Sequence, residues 1–210
     1  MSQLSRLLKA QKANLNLRYF LQNCVYTKDE HDKKNPVKKF PDFAYIEDVV
    51  NVWETEDRLL IKKSRQVLLT WIMVAIHTWL AWNRSNAVII FQSDKEDKVK
   101  EILLDRSEFI IRHLSEEVKF LMGEVFFGAL MFKFLKNGSR IIGTPAGADV
   151  IRSFTATAIL SDEMAFQEKQ EETLAGSLQS VTDGGKFTGI STIYPESYFD
   201  KLCEDLIKVA

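Results

Sequence analysis

The chain is poor in the residues that stabilise small secreted domains or bind metals. Its 210 residues include only two cysteines, Cys24 and Cys203, and three histidines. Two cysteines do not make a disulfide framework, which favours a reducing compartment. The histidines have no metal-ligand spacing with them. With 9 glycines, 4 prolines and 46% apolar residues, the composition argues against wholesale disorder and predicts one well-packed domain with at most a small appendage.

Long apolar runs are also missing. The longest candidate, residues 71–82, is interrupted by His77 and Thr78 and is too short to span a bilayer. No signal peptide opens the sequence. The net charge of -1 says little about partners, but residues 1–40 hold nine Lys and Arg against three Asp and Glu. This segment either contacts a polyanion or is a solvated basic face, which is the commoner case.

Apolar patterns predict an α/β fold. Residues 1–25 read as helical and residues 26–41 as an exposed charged connector, followed by a helix that begins near Pro41 with Asp42 in its first turn. A hairpin is predicted at Asn137-Gly138. Continuous apolar strands then alternate with helices, which indicates a mainly parallel sheet with helices on both faces. The strands are predicted at 58–63, 87–92, 155–162 and 186–193, and the helices at 70–84, 94–114, 164–181 and from about 196.

Two of these strands run into polar tips. They are RLLIKKSRQVLLTW (58–71) and TATAILSDEMAF (155–166). The carboxyl ends of parallel strands are where such sheets bind ligands. A cationic loop with hydroxyls and a strand-end Asp-Glu pair are typical of a site for phosphate and Mg²⁺, in which the Asp holds the metal and the Glu polarises a water. The tips therefore predict an ATPase, with candidate residues Lys63, Ser64, Arg65, Gln66, Thr70, Asp162 and Glu163.

The first tip departs from the standard phosphate loop, GxxxxGK[ST]. With Thr70 at the final hydroxyl, Leu69 stands at the Lys position, Leu68 at the second Gly and Lys63 at the first. Taken alone, this string is also compatible with an ordinary basic turn between a strand and a helix. A third element, ISTIYPES (190–197), either senses the γ-phosphate through its hydroxyls or is an ordinary strand end.

The order of these motifs, with VIIFQSDKEDKV (88–99) between them and Arg152 ahead of the Asp-Glu pair, resembles the ATPase domain of the large terminase subunit of tailed bacteriophages. The resemblance runs from about residue 40 to 206. It implies a P-loop NTPase of the RecA-like type with an additional strand and a catalytic Glu, in which the strand at 186–193 lies between those at 58–62 and 155–161.

The same resemblance implies a function. The family packages viral DNA, so we expect an ATP-hydrolysing motor domain that uses ATP and Mg²⁺ to power translocation of double-stranded DNA into a procapsid. The implied partners are double-stranded DNA, further copies of the chain in a ring, a portal protein and a small terminase subunit, with no membrane. The implied location is the host cell cytoplasm and, transiently, the procapsid portal.

Residue roles are carried over from the family position by position. Lys63 resembles a lysine displaced to the start of the phosphate loop, and the adenine pocket is expected within residues 40–45. Arg152 resembles an arginine finger acting on a neighbouring subunit, or is a surface arginine, and Arg140 is the second candidate. The remaining implied roles are nucleotide binding for Ser64, Arg65 and Gln66, magnesium binding for Thr70 and Asp162, general base for Glu163, and coupling for Ser191 and Thr192.

The predicted organisation has two parts. Residues 1–40 form a basic helical segment and connector, and residues 41–210 form the ATPase core, ending near the start of a lid. We expect these 210 residues to be the ATPase part of a longer protein, without the nuclease domain of the family. Two alternatives stay open: a non-hydrolysing nucleotide-binding or structural module, suggested by Leu68 and Leu69, and a helicase-like ATPase.

Overall fold

The computed structural model describes residues 3–29, 31–64 and 68–207. Within that part of the chain, no helix is long and apolar enough to cross a membrane. The helices are α1 (Gln3–Leu15), α2 (Leu17–Cys24), α3 (Ala44–Thr55), α4 (Leu69–Asn83), α5 (Glu96–Lys98), α6 (Asp105–His113), α7 (Glu116–Met122), α8 (Ala148–Ile151), α9 (Gln170–Ser180) and α10 (Tyr198–Ile207). The strands are β1 (Tyr26–Lys28), β2 (Val37–Lys39), β3 (Arg58–Lys63), β4 (Val88–Ser93), β5 (Val125–Phe127), β6 (Met131–Phe134), β7 (Arg140–Pro145), β8 (Ala156–Ser161) and β9 (Val181–Thr192).

The centre of the molecule is a seven-stranded sheet with the order β3-β9-β8-β4-β7-β6-β5. The five neighbouring strands β3, β9, β8, β4 and β7 pair in parallel. The pairs β7-β6 and β6-β5 are antiparallel. The strand β9 lies between β3 and β8, so the predicted order is confirmed together with the P-loop α/β fold class. Lys63 pairs with Thr192 and Ser161 with Gly189, which brings the polar tips of three strands to one edge of the sheet.

Both faces of the sheet are covered because its central strands are apolar on both sides. In β4, Ile89 and Phe91 belong to one buried cluster and Ile90 to the other, as expected from side chains that alternate between faces. Helix α4 is buried over most of its circumference. The amino-terminal helices cover its outer side, where the Trp79 Nε1 atom donates a hydrogen bond to the Ala13 carbonyl at 2.9 Å.

Several predicted boundaries are wrong. The helix expected near Pro41 begins at Ala44, so Asp42 precedes it. The connector at 26–41 contains the antiparallel pair β1-β2. The helix expected at 94–114 contains a π-helical segment, Val99–Leu104. The helix expected at 164–181 is a short 3₁₀ turn, Met164–Phe166, followed by α9, and residue 181 already belongs to β9.

The hairpin predicted at Asn137-Gly138 is confirmed between β6 and β7. Gly138 has a φ of 77°, a left-handed conformation that favours glycine. The Asn137 side-chain amide donates to the carbonyls of Trp82 and Arg84 at 2.8 and 3.1 Å. These contacts satisfy carbonyl groups at the end of α4 and tie the hairpin to the core.

Candidate active site

A cleft of about 540 Å³ lies at the carboxyl ends of β3, β8 and β9. The sheet order places it there, since the loops after these three strands meet at one edge. The first turn of α4 also borders the cleft, so backbone N–H groups that have no partner within that helix lie close by. The described lining residues are Lys63, Ser64, Leu68, Thr70, Trp71, Lys98, Ile102, Arg106, Asp162, Glu163, Phe166 and Thr192.

Lys63 is the centre of the polar contacts in the cleft. Its Nζ atom lies 2.9 Å from Thr70 Oγ1, 3.0 Å from Asp162 Oδ1 and 3.2 Å from Glu163 Oε1. The side chain is only 8% exposed. The contacts with Thr70 and Asp162 are hydrogen bonds, and the contact with Glu163 is an ion pair. The structure thus brings together four residues that the sequence placed at two tips about 100 positions apart.

Asp162 is the buried acid of this group, with an exposed fraction of 3%. Burial raises the pKa of Asp162, and the adjacent Lys63 ammonium lowers it by less. The Thr70 hydroxyl is 3.4 Å from Asp162 Oδ2. A hydroxyl and a carboxylate oxygen are the ligands that Mg²⁺ takes from proteins at phosphate sites, where the substrate and water supply the rest. The donor set of Thr70 and Asp162 therefore fits a magnesium ion.

Glu163 is held in an unusual conformation. Its φ is 50° and its ψ 41°, the left-handed region that costs a non-glycine residue about 1–3 kcal/mol. The Thr192 hydroxyl donates to Glu163 Oε2 at 3.2 Å, and the Ser191 hydroxyl is 3.5 Å from the same oxygen. Ser191 also accepts the Ala165 N–H at 3.1 Å. Both residues of the predicted coupling element thus contact the carboxylate of the predicted base.

The peptide between Asp162 and Glu163 is fixed on both sides. Its N–H donates to Asp162 Oδ1 at 3.0 Å, and its carbonyl accepts the Gln167 Nε2 amide at 3.1 Å. The same Gln167 amide donates to Ser161 Oγ at 2.8 Å. Because the orientation of this peptide plane is set by the ψ of Asp162 and the φ of Glu163, these bonds hold the Glu163 side chain in place.

The neighbouring lysine, Lys62, points to the other face of the sheet. Its Nζ atom is 2.6 Å from Asp200 Oδ1 on α10, and the hydrogen bond to Asp200 raises the pKa of Lys62. The alternation of side chains along β3 therefore sends only Lys63 into the cleft.

The rest of the phosphate loop is described in part. Ser64 lines the cleft, whereas Arg65 and Gln66 lie outside the described residues. Leu68 borders the cleft, and Leu69 is 3% exposed and packs in the core. The position beside Thr70 therefore contributes apolar packing to α4.

The two candidate arginine fingers lie in different places. Arg152 follows α8, with its side chain half exposed and Nη1 3.6 Å from Asp149 Oδ1. It is not among the described residues that line the cleft. Arg140 pairs with Val88 at the amino-terminal ends of the parallel strands β7 and β4. These ends lie on the side of the sheet opposite the cleft. Both arginines are exposed, so they differ in their distance from the cleft end of the sheet and not in their exposure.

A second cleft of about 920 Å³ adjoins the first. The two share Leu68, Trp71 and Arg106. Pro41 and residues 43–45 line the second cleft, and the rings of Phe43 and Tyr45 stack with centroids 5.7 Å apart. The region predicted to build an adenine pocket therefore lines an open space that continues from the first cleft.

Five residues that line the cleft are not among the predicted site residues: Trp71, Lys98, Ile102, Arg106 and Phe166. Gln167, which contacts Ser161 and Asp162 behind the cleft, was not predicted either. Trp71 follows Thr70 directly, and the π-helical segment brings the two cations to the cleft wall. Gln167 has no signal in the sequence, because its contacts depend on how the chain turns back after β8.

Comparison with protein-family models and with curated proteins found no match. Comparison with solved structures found bacteriophage large terminases. The HK97 large terminase matches with a TM-score of 0.69 and 10% identity, over 95% of this chain and 41% of that one. The large terminase of a thermophilic bacteriophage matches with a TM-score of 0.63 and 13% identity, over 80% of this chain and 44% of that one. A structure of the same thermophilic phage protein with ADP gives 0.64 and 13%, over 80% and 43%.

This chain spans less than half the length of these terminases. The matches cover 80% to 95% of its own length. At these identities, what the likeness establishes is the fold, and the resemblance inferred from the motifs is confirmed at that level: the chain has the fold of the ATPase domain of bacteriophage large terminases.

Proposed function

We propose that this chain binds ATP and Mg²⁺ and hydrolyses ATP as the motor domain of a DNA-packaging terminase. The observation that carries the proposal is the contact of Lys63 Nζ with Thr70, Asp162 and Glu163 in one cleft. This group combines a cation for phosphate, a hydroxyl and an acid for magnesium, and a carboxylate for water, as phosphoryl transfer requires. Structures of the thermophilic phage large terminase with ADP and with ATP-γ-S support the choice of ligand.

In this proposal each residue acts at a stated position. Lys63 leaves its carboxylate partners and contacts the β- and γ-phosphates. Thr70 and Asp162 would hold a magnesium ion, which would neutralise phosphate charge. Glu163 accepts a proton from the water that attacks the γ-phosphorus, while the bond to the ADP oxygen breaks and phosphate is released. Ser191 and Thr192, which contact Glu163, respond to the loss of the γ-phosphate. Ser64, Arg65 and Gln66 complete the phosphate loop.

The role in DNA packaging rests on the fold and on the motif order together. We assign the chain double-stranded DNA as its track, further copies of itself in a ring, and a portal protein and a small terminase subunit as partners. Its place would be the host cell cytoplasm and, during packaging, the procapsid portal. Arg152 would act as an arginine finger toward the next subunit, since it is exposed beyond the cleft.

A second candidate is a nucleotide-binding module that does not hydrolyse ATP. The burial of Leu69 favours it, because the standard loop has a lysine at that position and the side chain here packs in the core.

The test is phosphate release with ATP and Mg²⁺, measured alone, with double-stranded DNA and with single-stranded DNA. A packaging motor is expected to be stimulated by the duplex. Binding of nucleotide without phosphate release would favour the second candidate, and stimulation by single strands alone would favour a helicase-like enzyme.

A further inference from the structure

The lining of the cleft includes two cations outside the phosphate loop, Lys98 and Arg106, which we call the basic wall. Both line the cleft that contains Lys63, Asp162 and Glu163. Lys98 Nζ is 2.8 Å from Asp94 Oδ2, and the Arg106 guanidinium lies over the Trp71 ring at 5.1 Å. Both side chains are partly buried.

The backbone between them explains why both face the cleft. In a regular α-helix, residues eight positions apart differ by about 80° around the axis. The intervening Val99–Leu104 segment is π-helical, and its wider turns reduce the rotation per residue. This change brings the two cations closer to one face. The segment fits against β7 because Gly143 lacks a side chain: a Cβ atom there would lie 2.6 Å from Val99 and 2.9 Å from Leu104.

The balance of charges in the cleft indicates what the basic wall can bind. At the phosphate end, Lys63 faces two carboxylates, Asp162 and Glu163, so these described groups carry one positive charge against two negative ones. Leu69 supplies no cation where a standard loop has a lysine. A nucleoside triphosphate would then meet a net negative site. Lys98 and Arg106 remove this excess of negative charge: with the Asp94 carboxylate that pairs with Lys98 included, three cations face three carboxylates, which favours polyphosphate binding.

We infer that Lys98 and Arg106 form a second phosphate-binding subsite for the nucleotide, and that it offsets the leucines in the phosphate loop. The inference rests on the proposed nucleotide site. Arg106 lines both clefts, at their junction, so it contacts the α- and β-phosphates, which ADP and ATP share. Lys98 lines only the cleft with the two carboxylates, so it contacts the β- and γ-phosphates.

The test is titration of the protein with ADP and with ATP-γ-S in the presence of Mg²⁺. Arg106→Gln is expected to weaken both nucleotides about tenfold, the effect of losing one charged hydrogen bond. Lys98→Gln is expected to weaken ATP-γ-S by a similar factor and ADP by less. Arg106→Lys, which keeps the charge, should recover part of the affinity. This variant controls for misfolding caused by the loss of the arginine.

Two matched controls remove a cation from the same stretch of helix. Lys100 and Arg112 are exposed, and Arg112 pairs with Glu108. Lys100→Gln and Arg112→Gln are expected to bind both nucleotides as the wild type does. The inference is overturned if the Lys98 and Arg106 variants match these controls, or if they lose affinity for duplex DNA while nucleotide affinity is unchanged.

Failure of the proposed function can be distinguished from failure of the subsite. A wild-type protein that binds ADP and ATP-γ-S but releases no phosphate from ATP would contradict hydrolysis. The subsite would still stand if Arg106→Gln and Lys98→Gln weakened binding in the expected pattern. Conversely, normal ATP hydrolysis with unchanged nucleotide affinities in both variants would contradict the subsite but not the proposed function.

Discussion

The Gln167 side-chain amide donates a hydrogen bond to the backbone carbonyl of Asp162 at 3.1 Å. This bond fixes the peptide that precedes Glu163, whose backbone is in the left-handed region. Gln167 is 4% exposed, so no solvent competes for the contact. The conformation of the proposed base therefore depends on a side chain four residues further along the chain, which does not itself line the cleft.

We expect Gln167→Met to lower the rate of ATP hydrolysis about 10- to 100-fold, because Glu163 loses its positioned orientation. Nucleotide affinity should stay the same. The measurement is kcat and KM of phosphate release, with the same change repeated in a Glu163→Gln background. In that background Gln167→Met should have almost no further effect on the rate. Additive losses in the double variant would mean that Gln167 acts on overall stability and not through Glu163.

Lys63 and Lys62 provide a matched pair on opposite faces of β3. We expect Lys63→Ala to weaken ATP binding by about tenfold or more, since the described phosphate loop has no other lysine facing the cleft. Lys62→Ala removes the same charge but breaks only the ion pair with Asp200, so nucleotide affinity should be nearly unchanged. Equilibrium titration of both variants checks this. If Lys62→Ala weakened nucleotide binding and Lys63→Ala did not, the site assignment would have to move by one residue.

His77 predicts a pH dependence of stability. It is fully buried, its Nδ1 is 2.8 Å from the Met73 carbonyl, and its Nε2 has no partner. Burial lowers the pKa of His77 from 6.5 to about 4. The unfolded chain therefore binds a proton more readily than the folded protein between these values, and stability is lost as the pH falls from about 6.5 toward 4. The loss attributable to His77 is about 3 kcal/mol.

Urea unfolding at pH 7, 5.5 and 4.5 measures this dependence. His77→Phe keeps an aromatic ring beside Trp53 and Phe91 and removes the titrating group. The unfolding free energy of this variant should fall less over the same pH range. An identical fall in the wild type and in His77→Phe would show that other groups dominate the acid sensitivity.

Arg152 predicts a dependence on assembly. An arginine finger contributes roughly 10³- to 10⁵-fold to phosphoryl transfer, and Arg152 is exposed outside the cleft of its own chain. We expect the isolated protein to be slow and its specific activity to rise with concentration or ring assembly. Arg152→Ala should lower the assembled rate without weakening ATP binding.

Mixed rings test whether the site is shared. When Arg152→Ala and Glu163→Gln subunits are combined, an intact arginine can face an intact glutamate across an interface, and part of the activity should return. Verified mixed rings without any recovery, or full activity in monomers, would contradict a finger supplied by a neighbour.

The strand order could be predicted only through the resemblance to the terminase ATPase domain. The grouping of Lys63, Thr70, Asp162 and Glu163 could be predicted because apolar strands and strand-end polar residues pointed to the same edge of the sheet. Helix boundaries were harder. The start of α3 moved past Pro41 and Asp42, since local propensity at a helix start is weak compared with packing. The π-helical segment depends on the space at Gly143, a contact between distant residues that periodicity does not reveal.

The contacts of Lys98, Arg106 and Gln167 were equally invisible in the sequence. Each depends on where a helix or a turn places one side chain relative to a loop from another part of the chain. Lysine and arginine on a polar helix are usually solvated, and glutamine after a strand is usually a surface residue. Only the tertiary structure distinguishes these three from their neighbours.

The central claim is that Glu163 is the base of an ATP-hydrolysing site. The most direct measurement is phosphate release by the wild type, Glu163→Gln and the exposed control Glu168→Gln under the same conditions, with Mg²⁺, double-stranded DNA and saturating ATP. We predict that Glu163→Gln lowers the rate by about 10²- to 10⁴-fold with nucleotide affinity largely intact, while Glu168→Gln behaves as the wild type does. Wild-type turnover in Glu163→Gln would contradict the account.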